Sequence, residues 1–255
     1  MPPQRLMMNR IATFHAAANV AIIGASGGLG QAFVELLAAD PAVGCVNALS
    51  RRPGTLQLPA VEIGQIDLLC NSSIESAALS ASAAGALDLV LVCTGVLHRD
   101  TRIVPEKTMR DLDAATMAEI FAINAIGPAL VAKYFLPKMR KGHKSVLAAM
   151  SARVGSIGDN RLGGWTSYRA SKAALNMILK TLSIEQARRQ PQCIVVGLHP
   201  GAVDTGLSRP FSKGVPAAQL FTPAESAEHL LGVIDRLTRA DNGRLFAWDG
   251  TQIQF

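Results

Sequence analysis

The segment NVAIIGASGGLGQAFVELLAA, residues 19–39, decides the fold. It starts with a short apolar run that ends in glycine, which is typical of a buried β-strand, and continues from residue 28 with apolar side chains at helical spacing. Between the two, Gly24, Gly28 and Gly30 follow the spacing G-x-x-x-G-x-G. A glycine turn at this position lets the backbone approach a pyrophosphate, which the N–H groups at the helix N-terminus then bind.

The rest of the chain repeats this alternation of apolar runs and helical patterns. Strands are expected at 43–50, 61–68, 87–95, 144–151, 192–201 and 243–249, and helices at 71–84, 114–140, 166–189 and 223–239. Pro128 is expected to bend or interrupt the second of these helices. Alternating strands and helices indicate an α/β fold, a single-domain Rossmann-like doubly wound parallel sheet with helices on both faces. We assign this domain to residues 19–255 and an N-terminal arm or extension to residues 1–18.

The composition restricts the class of protein. Hydrophobic residues make up 49% and charged residues 17% of the 255 residues, which indicates a globular chain. The net charge is +6, but Arg and Lys are scattered without a basic run, so no nucleic-acid partner is expected. No segment is expected to reach the roughly 18 apolar residues of a membrane span, so no membrane partner is expected either.

The cysteines are far apart and form no CxxC motif. They are Cys45, Cys70, Cys93 and Cys193. This spacing is typical of reduced thiols in a cytoplasmic protein rather than of disulfides. No grouping of His, Cys and carboxylates has metal-ligand spacing, so no metal is expected.

The second and third predicted strands end in residues that bear on the nucleotide. An NAD site usually has an acid after the second strand, whereas this chain has Ser50, Arg51 and Arg52. A guanidinium can bind a 2′-phosphate, so NADP(H) is favoured over NAD(H); the alternative is two surface arginines in a turn. Asp67 follows the third strand, where it could accept a hydrogen bond from an adenine amino group, cap a helix or face solvent.

The segment SYRASKAALN, residues 167–176, places Tyr168 one helical turn before Lys172. Alone, this pair is more typical of a solvated helix than of a site. Together with the glycine loop, CTG at 93–95, Asn124 in INAIGP and HPGAVDT at 199–205, it resembles the short-chain dehydrogenase/reductase family from about residue 19 to 249. Ile23, where many members have Thr, is a mild departure, and so are Cys93 and Thr94 in place of Asn-Ala. GSIGDN and FAWDG are most similar to the C-factor-like or sniffer-like carbonyl reductases.

This resemblance implies an NADP(H)-dependent reductase of ketones or aldehydes. Tyr168 would donate a proton to the substrate carbonyl, with its pKa moved toward neutrality by Lys172 and a cationic nicotinamide. Lys172 would also bind the nicotinamide ribose, Asn124 would complete a proton relay, and Thr205 would contact the carboxamide. A homodimer or homotetramer is implied as well. The implied cofactor-binding residues are Gly24, Ser26, Gly28, Leu29, Gly30, Arg51, Arg52, Asp67, Leu68, Cys93, Thr94, Gly95, Tyr168, Lys172, Pro200, Gly201, Val203 and Thr205.

The family also uses a serine that hydrogen-bonds the substrate oxygen, and here Ala152 occupies its place, three residues before Gly155. Ser151 is our candidate, but neighbouring side chains of a strand point to opposite faces. Ser156 or no serine at all are the alternatives. Because of this departure, a weakly catalytic NADPH-binding sensor or signalling protein is the second hypothesis, and an epimerase or dehydratase the third.

Some residues near these motifs keep two interpretations. Trp165 either borders the substrate pocket or packs against the start of its helix. The loop 206–221 is either a lid over the substrate or a connector. His98 either lines the cofactor cleft or is an ordinary loop histidine, and His199 is expected to pack beneath the nicotinamide end of the cleft.

Overall fold

The apolar runs of the sequence form one mostly parallel sheet in the computed structural model, which describes residues 10–54, 58–214, 216 and 219–255. The strands are β1 (Ala18–Ile23), β2 (Val43–Ser50), β3 (Val61–Gln65), β4 (Leu89–Val92), β5 (Ser145–Met150), β6 (Cys193–His199), β7 (Ala202–Val203), β8 (Leu220–Phe221), β9 (Leu245–Ala247) and β10 (Gln252–Ile253). The α-helices are α1 (Gly28–Ala38), α2 (Asn71–Ala81), α3 (Ala114–Phe121), α4 (Gly127–Phe135), α5 (Thr166–Arg189) and α6 (Pro223–Arg236).

The strand order of the main sheet is β10-β9-β6-β5-β4-β1-β2-β3, while β7 pairs with β8 alone. The chain runs outward from β1 to β3 on one side and from β4 to β6 on the other, so the order reverses between β1 and β4. Ligands of open α/β sheets bind at such a reversal, beyond the carboxyl ends of the strands. The Rossmann-like fold predicted from the sequence is confirmed.

The core lies on both faces of this sheet. Val20 and Ile22 of β1 belong to the layer that includes side chains of α1 and α6, and Ala21 and Ile23 belong to the layer under α2, α4 and α5. All four side chains are fully buried. Strands that are buried on both faces need apolar residues at every position, which explains the continuous apolar runs of the sequence.

The sheet departs from the expected all-parallel arrangement at one edge. β10 is antiparallel to β9, with Gln252 opposite Phe246. The chain turns back at Gly250, whose φ of 86° favours glycine, and the Ala247 N–H donates to Thr251 O at 2.8 Å. A turn this short can join only antiparallel strands, which the sequence pattern of 243–249 did not indicate.

The helix expected at 114–140 is four consecutive helical segments. A π-helical turn, Ala122–Ile126, separates α3 from α4, and a 3₁₀ turn, Leu136–Lys138, follows α4. Pro128 lacks an N–H, so the hydrogen-bond ladder has to adjust in the turn that precedes it. The interruption predicted at Pro128 is therefore present, and it places Asn124 inside the π-helical turn.

By the test of length and composition alone, the same stretch, Ala114–Lys138, is long and apolar enough to cross a membrane. The expectation that no stretch reaches this length was wrong. Core helices pass the same test, and Ile120, Val131 and Phe135 are buried in this chain. The absence of a membrane partner stays a prediction.

Residues 10–17, part of the predicted N-terminal extension, pack on the body of the domain. Ile11 and Phe14 join the core layer of α1 and α6. The Arg10 side chain bonds Glu228 of α6 at 2.9 Å, and the Thr13 N–H donates to Asp235 at 2.8 Å. Residues 1–9 lie outside the described residues.

Candidate active site

Two adjoining cavities lie at the point where the strand order reverses. The first, about 420 Å³ and here called the Arg51 cavity, is lined by Gly24, Ser26, Arg51, Asp67 and Leu68 among others. The second, about 380 Å³ and here called the Tyr168 cavity, is lined by Gly28, Leu29, Gly30, Ser151, Tyr168, Lys172, Pro200, Gly201, Val203 and Thr205 among others. Residues common to both are Gly27, Cys93, Thr94, Gly95, Gly206 and Leu207. Most of the predicted site residues thus share one continuous cleft; Asn124 and Arg52 do not line it.

The glycine loop lines both cavities, with Gly24 in the Arg51 cavity, Gly30 in the Tyr168 cavity and Gly27 in both. Gly24 has a φ of 90°, and a Cβ at Gly30 would overlap the carbonyl oxygen of Gly24. α1 begins after Gly27 without a capping side chain and without an acidic residue in its first turn. Its first N–H groups therefore remain available to an anion, as the sequence predicted.

The turn after β2 separates the two arginines of the sequence prediction. The Ser50 hydroxyl donates to Arg52 O at 2.9 Å, which fixes the turn. Arg51 lines the Arg51 cavity, whereas Arg52 is exposed outside it. Neither guanidinium forms an ion pair within the part of the chain that the structure describes. Arg51 is thus the better placed of the two to meet a phosphate.

Asp67 serves the turn before α2 and also lines the Arg51 cavity. Its Oδ1 accepts the Leu69 N–H at 3.0 Å, and its own N–H donates to the Ser73 hydroxyl at 2.9 Å. One carboxylate oxygen is used in this turn, so the other remains for a ligand. Asp67 thus holds the turn before α2 without capping that helix, whose N-cap residue is Cys70. The hydrogen bond to an adenine stays a prediction.

Tyr168 and Lys172 lie one turn apart on α5, buried at the inner end of the Tyr168 cavity. The Lys172 Nζ is 5.7 Å from the centroid of the Tyr168 ring and donates to Met150 O at 2.7 Å. Burial raises the pKa of Tyr168 to about 12 and lowers the pKa of Lys172 to about 8. In the chain alone, burial therefore outweighs the neighbouring ammonium. The shift toward neutrality that the resemblance implied also includes the charge of the oxidised cofactor and stays a prediction.

Asn124 holds the loop after β4 rather than lining the cleft. Its side chain accepts the Val96 N–H and donates to Val96 O, both at 2.8 Å. It also donates to the Ser171 hydroxyl at 3.1 Å, which in turn donates to Tyr168 O at 2.7 Å. With its side chain engaged, only the backbone of Asn124 remains for the link to Lys172 that the resemblance implied.

The two serines considered as substrate-oxygen donors, and the alanine at the family's donor position, differ in their surroundings. Ser151 lines the Tyr168 cavity, but its hydroxyl donates to Asn176 Oδ1 at 2.6 Å. Ser156 is buried, accepts the Asp159 N–H at 3.2 Å and lies outside the lining of both cavities. Ala152 is half-buried and carries no hydroxyl. Ser151 can act as the predicted donor only if its hydroxyl leaves Asn176, so this role stays a prediction.

The segment after β4, which lies directly beside Gly24, contains two of the departures from the family pattern, Cys93 and Thr94. Burial raises the pKa of the Cys93 thiol above its ordinary value. The Thr94 hydroxyl is buried and has no hydrogen-bond partner among the described residues. Gly95 lies close to Lys172, since a Cβ there would be 3.5 Å from the Lys172 Nζ. The segment CTG thus lines both cavities beside this lysine.

The sequence offered the loop 206–221 as a lid and His98 as a cleft residue, but it did not single out Gly206 and Leu207. Gly206 and Leu207 line both cavities, and the His98 ring bonds Gly206 O at 2.9 Å through Nε2. Phe211, in the same loop, lies 5.0 Å from the Trp165 ring, which lies 6.4 Å from the Tyr168 ring. Trp165 therefore borders the site as well as the start of α5. Leu207 and Phe211, large apolar residues near the start of a loop rich in Gly, Pro and Ser, were the available signal.

The family model for short chain dehydrogenases matches residues 18–215. The chain belongs to this family. It is 40% identical to the C-signal protein of Myxococcus xanthus over 143 residues, which cover 56% of this chain and 81% of that protein. This short-chain dehydrogenase is also 26% identical to an NADPH-bound carbonyl reductase from chicken fatty liver, with a TM-score of 0.78 over 94% of this chain and 100% of that one.

Carbonyl reductase Sniffer of D. melanogaster has a TM-score of 0.80 over the same shares of the two chains. At 21% identity, this similarity shows the fold alone. Taken together, these similarities confirm the predicted family and the predicted likeness to C-factor-like and carbonyl-reductase-like members.

Proposed function

We propose that this short-chain dehydrogenase is an NADP(H)-dependent oxidoreductase that reversibly reduces a ketone or aldehyde to an alcohol. The observation that carries the proposal is a shared cavity, in which Tyr168 and Lys172 face the same space as the loop Gly28–Gly30. A proton donor and a phosphate-binding turn in one cavity suit a reaction in which a dinucleotide meets a carbonyl. The family and the carbonyl reductase among its relatives agree with this chemistry.

The residues of the cleft fit a nicotinamide dinucleotide. The absence of a Cβ at Gly30 lets the start of α1 pack against the Gly24 carbonyl, which keeps the glycine turn tight enough for a pyrophosphate site. The buried Thr94 hydroxyl lacks a partner among the described residues. Arg51 lines the cavity on the β2 side, where it favours a 2′-phosphate and hence NADP(H) over NAD(H). The bound cofactor supplies the hydride for the carbonyl carbon.

Tyr168 and Lys172 supply the proton and stabilise the charge that remains. With a pKa of about 12, the Tyr168 phenol is protonated at neutral pH and can donate to the substrate oxygen. With a pKa of about 8, Lys172 is mostly cationic at neutral pH and stabilises the phenolate that forms. The Lys172 Nζ has to leave Met150 O, or share its protons, to reach the phenol oxygen.

The second candidate is an NADPH-binding signalling protein with weak catalysis. Ala152 in place of the family serine and the engagement of Ser151 with Asn176 favour this candidate, because one substrate-oxygen donor is missing or occupied. The similarity to C-signal agrees with it. Losing one such donor typically costs about 10²–10³ in rate, so a slow enzyme is still expected.

The test is NADPH oxidation, followed at 340 nm over a panel of ketones and aldehydes. The chain has two tyrosines, so Tyr134→Phe is a matched control for Tyr168→Phe. We expect Tyr168→Phe to reduce kcat by about a thousandfold and the control to retain it, in line with the loss of a general acid. Turnover that survives in Tyr168→Phe would reject the assigned proton donor. NADPH binding without turnover of any carbonyl would select the signalling candidate.

A further inference from the structure

The entry to α5, the helix that carries Tyr168, has an unusual backbone. Gly163, Gly164 and Trp165 have φ values of 63°, 67° and 52°, so three successive residues are left-handed. Glycine adopts this region freely, but a tryptophan there is strained. Such strain persists only where neighbouring groups hold the backbone in place. Tyr168 follows this corner by three residues, so the corner helps to decide where its phenol lies.

Glu106 holds this corner from a distant part of the sequence. Its carbonyl oxygen accepts the Trp165 N–H at 2.7 Å. Its carboxylate oxygens accept the Ser167 N–H, both at 3.3 Å, and Oε1 also accepts the Ser167 hydroxyl. Main chain and side chain of one residue thus fix the two residues on either side of Thr166, immediately before Tyr168.

The contact between Glu106 and Ser167 is buried, which limits the partners that the carboxylate can have. Glu106 is 4% exposed and Ser167 is fully buried, and Glu106 forms no ion pair within the described ranges of the chain. A buried carboxylate needs compensation, which here comes from the Ser167 donors and the positive end of the α5 dipole. The carboxylate is therefore committed to the first turn of α5.

We propose that Glu106 is a positioning residue of this enzyme: it fixes the first turn of α5 so that the Tyr168 phenol reaches the substrate oxygen. This inference rests on the proposed function, because it assigns Glu106 a task in the same site. It acts through Ser167 and Trp165 and touches neither substrate nor cofactor. A displacement of about 1 Å at a reacting group can cost a hundredfold in rate.

The experiment compares Glu106→Ala with Glu106→Gln and with Glu225→Ala. Glu225 is a matched control, because it caps α6 by accepting the Thr222 N–H and the Thr222 hydroxyl, both at 2.8 Å. The readouts are kcat, the KM for NADPH, and deuterium exchange of peptides from the first and last turns of α5. Ser167→Ala is a milder variant, since it removes only the hydroxyl donor.

We expect Glu106→Ala to reduce kcat by about tenfold to a hundredfold with the KM for NADPH within about twofold of the wild-type value. Exchange should increase in the first turn of α5 and stay unchanged in its last turns. Glu106→Gln should recover kcat to within about threefold, because its amide can still accept the Ser167 N–H and donate to the Ser167 hydroxyl. Ser167→Ala should fall between the two, and Glu225→Ala should retain kcat.

Wild-type kcat and exchange in Glu106→Ala would overturn the proposal, as would equal losses in Glu106→Ala and Glu225→Ala. If Glu106→Ala does not fold, an unchanged kcat in Ser167→Ala together with no recovery in Glu106→Gln would overturn it. Failure of the proposed function is distinct, since the wild-type protein would then reduce no carbonyl. The exchange of the first turn of α5 would still show whether Glu106 holds it.

Discussion

The Arg51 cavity and the Tyr168 cavity share a wall at Cys93–Gly95, yet the two are built differently. In the Arg51 cavity a guanidinium and a carboxylate oxygen of Asp67 are left without ion-pair partners among the described residues. In the Tyr168 cavity the polar groups are buried and largely bonded, as Lys172 is to Met150 O. The first arrangement suits recognition of a charged ligand. In the second, burial sets the pKa values of the reacting groups.

The largest effect on NADPH binding should come from the glycine loop, because Gly30→Ala would place a Cβ against the Gly24 carbonyl oxygen. Either the loop or the start of α1 must then move away from the pyrophosphate position. We expect NADPH affinity to fall by at least about a hundredfold, since the glycine turn is what permits close backbone approach. Fluorescence titration of NADPH measures this.

Gly232→Ala is the matched control, because Gly232 lies within α6 and its Cβ would meet only Arg236 at 3.5 Å. This variant should bind NADPH normally and be slightly more stable, since Ala is the better helix former. Normal NADPH binding by Gly30→Ala would show that the loop is not the phosphate site.

The next largest effect on NADPH affinity should distinguish Arg51 from Arg52. Arg51 lines its cavity and Arg52 does not, so Arg51→Ala should weaken NADPH binding by about tenfold to a hundredfold, the value of a charge-assisted contact. NADH lacks the 2′-phosphate, so its affinity should be unchanged. Arg52→Ala is the control, with a change of about threefold or less expected for an exposed charge. Equal losses of NADPH and NADH affinity would contradict a role in 2′-phosphate recognition.

The sequence was sufficient for the fold and for most of the cleft, because these depend on local patterns. Apolar runs predicted the strands, and the glycine spacing predicted the turn before α1, in which Gly30 approaches Gly24. Contacts between distant segments were beyond such patterns. Glu106 meets Ser167, and His98 meets Gly206, across separations of 61 and 108 residues. No periodicity or motif links these positions, so only the folded chain shows them.

The direction of the pKa shift of Tyr168 was unpredictable for a related reason. A helical spacing of four residues brings Lys172 near the phenol, and from sequence the ammonium is expected to dominate. In the structure the Lys172 Nζ donates to Met150 O, and burial is the cause of the raised pKa. Competition between partners and desolvation depends on side-chain positions that the sequence does not contain.

A pH profile tests this burial directly. Because the pKa of Lys172 is lowered to about 8, its positive charge is present below pH 8 and lost above it. We expect kcat/KM for NADPH to fall above pH 8 by up to about tenfold per pH unit, since this parameter reports groups of the free enzyme. Tyr168, with a pKa of about 12, should contribute no limb below pH 10.

Lys172→Arg is the control for this profile, because a guanidinium stays charged over the whole range. Its activity should be lower, but the limb near pH 8 should be absent. A limb that persists near pH 8 in Lys172→Arg would assign it to another group. A wild-type limb near pH 10 would show that Lys172 is less desolvated than its burial indicates.

The smallest expected effect is on kcat, and it concerns the substrate-oxygen donor that Ala152 cannot supply to the Tyr168 cavity. Ala152 is half-buried, so a serine there adds an oxygen without overpacking a core position. We expect Ala152→Ser to raise kcat by about threefold to tenfold, less than the 10²–10³ that an optimised donor provides. Ser151 already donates to Asn176 at 2.6 Å, so Ser151→Ala should cost less than about tenfold. The opposite pair of results, no gain from Ala152→Ser and a hundredfold loss from Ser151→Ala, would show that Ser151 leaves Asn176 for the substrate oxygen. The Tyr168 cavity would then resemble the Arg51 cavity, with a polar group kept available for its ligand.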